Sequence, residues 1–270
     1  MPSNLWERVN YKTNVKHIEN HYIYEYDISK ANISALLYGK RISEDEYNRF
    51  LNMDKNQRER EIGLWIRNDN TVYKCISDGI KYAKHQLVFS NNIEDYEILS
   101  IKNDAVFTLR ELSNTEFGPF RFVPKNIYSI YMQLQELEIY YIDNLEDGGY
   151  TSTTIDIKGI NDEKIPLHTG GILDAICDTC FMIQRGNDYQ VIQYLMDVYE
   201  KYINRVLPIN YYRSFDSSST FSVQTQTLNF RTDLADETMV GYLNIDRNLS
   251  ILRDLLSIVS DIYHANYKVK

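Results

Sequence analysis

The sequence predicts an α+β fold: an antiparallel sheet with packed helices, followed by a more helical second lobe. Three observations carry that expectation. Short β-prone runs concentrate between residues 22 and 109. A single apolar stripe at helical spacing interrupts them over residues 72–87. Helical periodicity then dominates beyond residue 171.

In chain order, Tyr22 to Ile28 alternates aromatic and aliphatic side chains with polar ones, the pattern of a half-buried strand. Ala31 to Tyr38 follows as a short helix that ends at Gly39. Ser43-Glu44-Asp45-Glu46 has the spacing of a capping box and opens a second helix with acidic residues in its first turn. Val72, Cys75, Ile76, Ile80, Ala83 and Leu87 fall three or four residues apart and give one apolar stripe, the clearest helix in the chain. Beyond Asn91-Asn92, two β-prone runs flank Lys102-Asn103-Asp104, which predicts a hairpin with Asp104 at or just past its turn. A helix is expected after Pro124, with Ile127, Ile130, Tyr131, Leu134 and Leu137 on one side.

Glu146-Asp147-Gly148-Gly149 reads as the boundary between a first lobe, 1–147, and a second, 148–270. Thr151 to Ile160 then reads as a strand, with helices expected at 171–184 and 188–206. A Ser/Thr-rich strand region is expected at 217–230 and a last helix at 247–265.

No apolar run approaches the roughly 18–20 residues a membrane span needs, so no membrane partner is expected. The first residues lack the basic-then-apolar layout of a secretory signal. Three cysteines, an odd number, do not suggest a disulfide framework, and the expectation is a reducing cytoplasm, that of the host if the chain is viral. The abundance of Tyr (23 residues), Asn and Ile suits an AT-rich genome such as that of a virus of a low-GC bacterium.

A net charge of −9 weighs against a nucleic-acid partner. Its distribution softens that objection, because residues 1–67 carry 11 basic against 10 acidic side chains, with Lys55, Arg58, Arg60 and Arg67 clustered there. Such cations can hold a triphosphate by charge and directed donors. They also match a solvated helix face pairing with its acidic neighbours.

Asp27 closes a strand just before a helix, and Asp104 sits on a tight hairpin. Aspartates in such frames on adjacent strands can converge on shared metal ions. Phosphoryl transfer uses that convergence: two Mg²⁺ ions about 3.5–4 Å apart activate the attacking hydroxyl and stabilise the leaving oxygen. Mg²⁺ takes only one or two carboxylates directly, the rest of its shell being water and substrate phosphate. Two carboxylates on rigid strands are then a sufficient protein contribution.

Tyr26-Asp27-Ile28-Ser29-Lys30-Ala31-Asn32-Ile33-Ser34 resembles motif A of the family A and family B DNA polymerases, and Ile98 to Phe107 resembles their motif C hairpin. Pro124-Lys125-Asn126-Ile127-Tyr128 is similar to the family B element that contacts the primer terminus, one residue longer here. Ile157-Lys158-Gly159-Ile160 is similar to the strand entering the family B thumb. The resemblance spans roughly residues 22–160 with the motif order kept, and it implies a palm followed by a thumb-like lobe in a minimal or divergent viral polymerase.

It further implies Asp27 and Asp104 as catalytic Mg²⁺ ligands, and Lys55, Arg58, Arg60 and Asn32 as nucleotide-binding residues. Lys125 and Tyr128 would be the primer contacts. The partners implied are a primer-template and nucleoside triphosphates, with a second polymerase or virion subunit completing a split enzyme. Three departures stand beside it. Lys102 occupies the place of the first motif C aspartate, Asn32 stands where a bulky sugar gate is usual, and the fingers signature is missing.

Cys177 and Cys180 have zinc-like spacing near His168, but no second Cys/His pair completes four ligands, so they are expected to pack as small apolar groups. The many tyrosines are expected mainly in cores, with base stacking as the functional alternative. The expected function is template-directed nucleotidyl transfer. The rival is a catalytically inactive viral module that keeps a palm-like fold and binds nucleic acid or protein.

Overall fold

A computed structural model describes residues 4–145, 151–159, 171–212 and 245–267. The chain is α+β and divides into two compact units, Met1–Asn14 with Tyr22–Ile127, and Val15–His21 with Tyr128–Lys270. The division falls at Ile127/Tyr128; the expected boundary at Glu146–Gly149 and the expected strand region at 217–230 lie outside the described residues.

The first unit contains a sheet of six strands in the order β1-β4-β5-β3-β7-β6. These are β1 (Asn10–Lys12), β3 (Ile23–Ile28), β4 (Ile98–Lys102), β5 (Ala105–Thr108), β6 (Glu116–Phe117) and β7 (Phe120–Tyr128). β4 and β5 form the expected hairpin, Lys102 opposite Ala105, with Asn103 at φ +54 in its turn. Asparagine tolerates this left-handed conformation better than most residues, which suits it to the corner. β3 lies antiparallel to β5 with Asp27 opposite Ala105.

The helices of this unit are α1 (Ala31–Tyr38), α2 (Glu44–Leu51), α3 (Lys55–Asn68) and α4 (Asn70–Ser90). α2 opens on the expected capping box: the Glu46 amide donates to Ser43 Oγ at 3.2 Å and the Ser43 amide to Glu46 Oε2 at 2.9 Å. Asp54 and Asp69 cap α3 and α4 by accepting from first-turn amides, without the reciprocal bond. On the α4 stripe Val72, Ile76, Ala83 and Leu87 are buried, while Cys75 and Ile80 are half-buried. They join Ile33 and Leu36 of α1, Tyr26 and Ile28 of β3, Ile101, Val106, Phe120 and Phe122 in one apolar core.

α1 and α4 approach closely at Gly79, where an added Cβ would lie 2.7 Å from the Ala35 Cβ. The chain between these helices leaves and returns at one place. Arg41 pairs with Asp69 at 3.9 Å and donates to Thr71 Oγ1. Within the excursion, Arg49 meets Glu61 at 2.7 Å and the Phe50 and Trp65 rings pack edge to face.

The second unit carries the sheet β10-β9-β8-β2, made of β2 (His17–Ile18), β8 (Ile130–Leu134), β9 (Leu137–Leu145) and β10 (Thr151–Lys158). Its helices are α5 (Gly171–Gln184), α6 (Asp188–Ile203) and α7 (Ile245–Tyr267), close to the expected bounds. Ile130, Met132, Leu134, Leu137, Ile139 and Ile157 share one core with Ile176, Cys180, Leu195, Leu255 and Val259 of the helices.

The helix expected after Pro124 is replaced by β7, β8 and β9. β8 is buried at every position, so its apolar residues satisfy helical spacing as well as strand alternation. Pro124, read as a helix start, sits on β7 beyond the short pairing with β6, where no ladder donor is needed on that side. Leu134 pairs with Leu137 across Gln135-Glu136, with Gln135 at φ +57, a two-residue turn without the usual Asn-Gly or Asp-Gly signal.

Candidate functional site

A cleft of about 550 Å³ lies in the first unit, at the end of the sheet where β3 stops and the β4–β5 hairpin turns. The register places Asp27 opposite Ala105, beside Asp104 in the hairpin turn, so the two carboxyls lie near enough to act on each other's charge. Burial first, and then the negative charge of Asp27, push the Asp104 carboxyl up to about 6. Asp27 Oδ1 is buried without a hydrogen-bond partner. Two neighbouring acids with an unpartnered buried oxygen are a place where a cation stabilises.

Facing them is a lysine that the sequence reading missed. Lys84 is 2% exposed, and its ammonium donates to the Arg8 carbonyl at 2.7 Å and the Asn103 carbonyl at 3.2 Å. Burial pulls its pKa down to about 8, against the opposing pull of Asp104. In the sequence Lys84 follows Ala83 on the stripe helix like any solvated lysine. Its burial depends on carbonyls 76 and 19 residues away, which no local pattern reveals.

Lys55, Arg58 and Asn32 also line the cleft, joined by Ser29, Lys30, Tyr73 and Lys81. Arg58 is 7% exposed, and its Nη1 donates to the Met53 and Phe50 carbonyls at 3.4 and 3.5 Å, tying α3 to the end of α2. Asn32 Nδ2 donates to Glu59 Oε2 at 3.1 Å, which brings a second unforeseen residue, Glu59, into the cleft wall. Tyr73 leaves an exposed ring face there.

Three expected site residues lie elsewhere. Arg60 is exposed on α3 and does not line the cleft. Lys125 sits 3.4 Å from the buried Glu25, whose other oxygen accepts from Asn126 at 2.8 Å. Tyr128 is fully buried, and its hydroxyl donates to Asp156 at 3.2 Å, so it presents no exposed face. β7 is a strand, and its twofold alternation separates Lys125 and Tyr128 in a way a helix would not.

Cys180 is fully buried in the second core and Cys177 half-buried, and burial pushes both thiols up, Cys177 to about 11. His168 lies outside the described residues. Among the described residues no three His, Cys, Asp or Glu side chains surround a common cation position, so the aspartate pair is a two-carboxylate site.

A family model described as Bacteriophage PBS1 gene 130 protein matches residues 1–261 of the chain. No curated protein matches it. No helix among the described residues is long and apolar enough to cross a membrane.

Proposed function

We propose that this chain, which belongs to the bacteriophage PBS1 gene 130 protein family, is a template-directed nucleotidyltransferase on a polymerase-type palm, with Asp27 and Asp104 as its Mg²⁺ ligands. One observation carries the reading. The two aspartates, 77 residues apart in sequence, adjoin at the end of one sheet and open into a cleft whose walls carry Lys55, Lys81 and Lys84.

The residues fit a divalent cation of the Mg²⁺ type: hard oxygen donors, a buried Asp27 Oδ1 without a partner, and a mutual repulsion that a cation would relieve. When bound, Mg²⁺ supplies charge neutralisation at the attacking and leaving oxygens. The chain's own residues do the rest. Asp27, on β3, and Asp104, in the β4–β5 turn, would hold the cation. Lys55, at the start of α3, and Lys81 attract the phosphates by charge. Tyr73 offers a ring on which a base stacks. Asn32 faces the sugar.

The test is Mg²⁺-dependent extension of a primed template by the purified chain, with nucleic-acid binding measured in parallel. Extension that disappears in Asp27→Asn supports the reading. A second reading has its own observation, since the Arg58 guanidinium is engaged with backbone carbonyls and Lys102 stands two residues before Asp104. In that reading the chain is an inactive palm-like module that binds nucleic acid or a protein subunit. Binding without any extension, at every divalent cation tried, would select it.

A further inference from the structure

Asp104 is the second residue of the two-residue turn between β4 and β5, and the contacts of that corner come from far along the chain. The Asn103 amide donates to the Val9 carbonyl at 2.8 Å, and the Asn103 carbonyl accepts from Lys84 at 3.2 Å. Lys84 also donates to the Arg8 carbonyl at 2.7 Å. The turn residue is therefore held on both sides of its peptide by one two-residue segment, Arg8-Val9, and by one buried ammonium. Asn103 stands at φ +54 and its side chain is exposed, so its orientation rests on these backbone bonds.

A buried lysine is expensive unless its donors are met by good acceptors, and hydrogen bonds to a charged donor are roughly twice as strong as neutral ones. Here the Arg8 and Asn103 acceptors are both main-chain carbonyls. An ammonium so placed pins backbone. The α4 stripe locks the Lys84 stem, with Ala83 and Leu87 wholly buried beside it. α4 is itself fixed against α1 at Gly79.

We propose that Lys84 is a positioning residue for the aspartate pair: it clamps the hairpin turn so that Asp104 faces Asp27 at the spacing one divalent cation requires. The inference rests on the metal-site reading above and adds to it the element that sets the site's geometry. Residues that orient metal ligands from behind typically change affinity by about 10–100-fold when replaced.

Two opposite electrostatic and geometric effects make the test decisive. Removing a positive charge near Asp104 would by itself tighten cation binding, whereas releasing the turn would loosen it. Mn²⁺ binding is measured by electron paramagnetic resonance on the full chain, in wild type, Lys84→Met, Asp104→Asn and the double variant. Amide hydrogen exchange of residues 103–105 is followed in the same proteins. The expected result is Mn²⁺ affinity lowered about tenfold in Lys84→Met, with faster exchange at the turn. The same substitution should produce no further loss in the Asp104→Asn background, since two residues acting through one site are non-additive.

Unchanged or tighter Mn²⁺ binding in a folded Lys84→Met protein overturns the proposal. So does an equal loss in both backgrounds, which marks general destabilisation. If wild type takes up no Mn²⁺, the metal reading falls and the positioning role with it. The exchange data still report separately whether Lys84 clamps the turn.

Discussion

Replacing Asp104 by asparagine should make the metal-free protein more stable at neutral pH. The Asp104 carboxyl is raised from 3.8 to about 6 by burial and by Asp27. A folded-state value above the unfolded one means that the native chain holds this proton more tightly. The associated stability is fully present below about pH 4 and is lost as pH rises through about 6. At about 1.4 kcal/mol per tenfold change in proton affinity, the full difference is about 3 kcal/mol. Partial exposure screens it to roughly 2 kcal/mol.

Asparagine keeps the shape and has no charge to bury. At pH 8 in EDTA the variant should therefore melt roughly 5 °C above wild type, given about 2–4 °C per kcal/mol in chains of this size. At pH 4 the two curves should nearly coincide. Mg²⁺ at ten times its dissociation constant should return about 1.4 kcal/mol to wild type and nothing to the variant. Thermal or urea melts at both pH values, with and without the cation, measure all of this. An Asp104→Asn protein less stable than wild type at pH 8, or a gap that does not change with pH, would refute the reasoning.

Other outcomes follow from the same geometry. Asp27→Asn and Asp104→Asn should each abolish Mg²⁺-dependent primer extension while leaving the circular dichroism spectrum unchanged; full turnover by either would show that the hairpin is not the catalytic element. Asn32→Tyr breaks the bond to Glu59 and places a bulky ring in the cleft wall, so preference for deoxyribonucleotides should rise. Incorporation of both nucleotide types by wild type and variant measures it, and an unchanged ratio would remove Asn32 as the sugar-facing residue. Gly79→Ala forces α4 away from Ala35 and should cost about 1–3 kcal/mol in urea unfolding. A neutral Gly79→Ala would mean that the two helices part easily.

Strand β3, α1, the stripe of α4 and the β4–β5 hairpin were all legible in the sequence, because their signals are local. Alternation, a capping box, three-and-four spacing and a turn tripeptide each fall within a few residues. The pairing of Asp27 with Asp104 was expected from motif order, and the register across β3 and β5 brings them together. The run after Pro124 misled for a physical reason: a strand covered on both faces carries no polar beat to distinguish it from a helix. Lys84, Glu59 and the internal use of Arg58 were invisible because each depends on a partner that only the fold supplies. Tyr128 shows the reverse error, since a tyrosine in a promising run, Pro124 to Tyr128, proved to be a core residue.

Arg41, Asp69 and Thr71 draw together the two ends of the intervening helical hairpin, whose Ile42, Phe50 and Ile62 enter the same core as α1 and α4. Its two ends meet where α1 and α4 already touch, so the aspartates do not depend on its length or sequence to find each other. Yet this insert supplies Lys55, Arg58 and Glu59 to the cleft. Selection can therefore vary the exposed positions of residues 42–68 and change the wall of the cleft, so long as Ile42, Phe50 and Ile62 keep the core filled. Related phage proteins should diverge most in that stretch, and a grafted hairpin from one relative should transplant ligand preference as a unit.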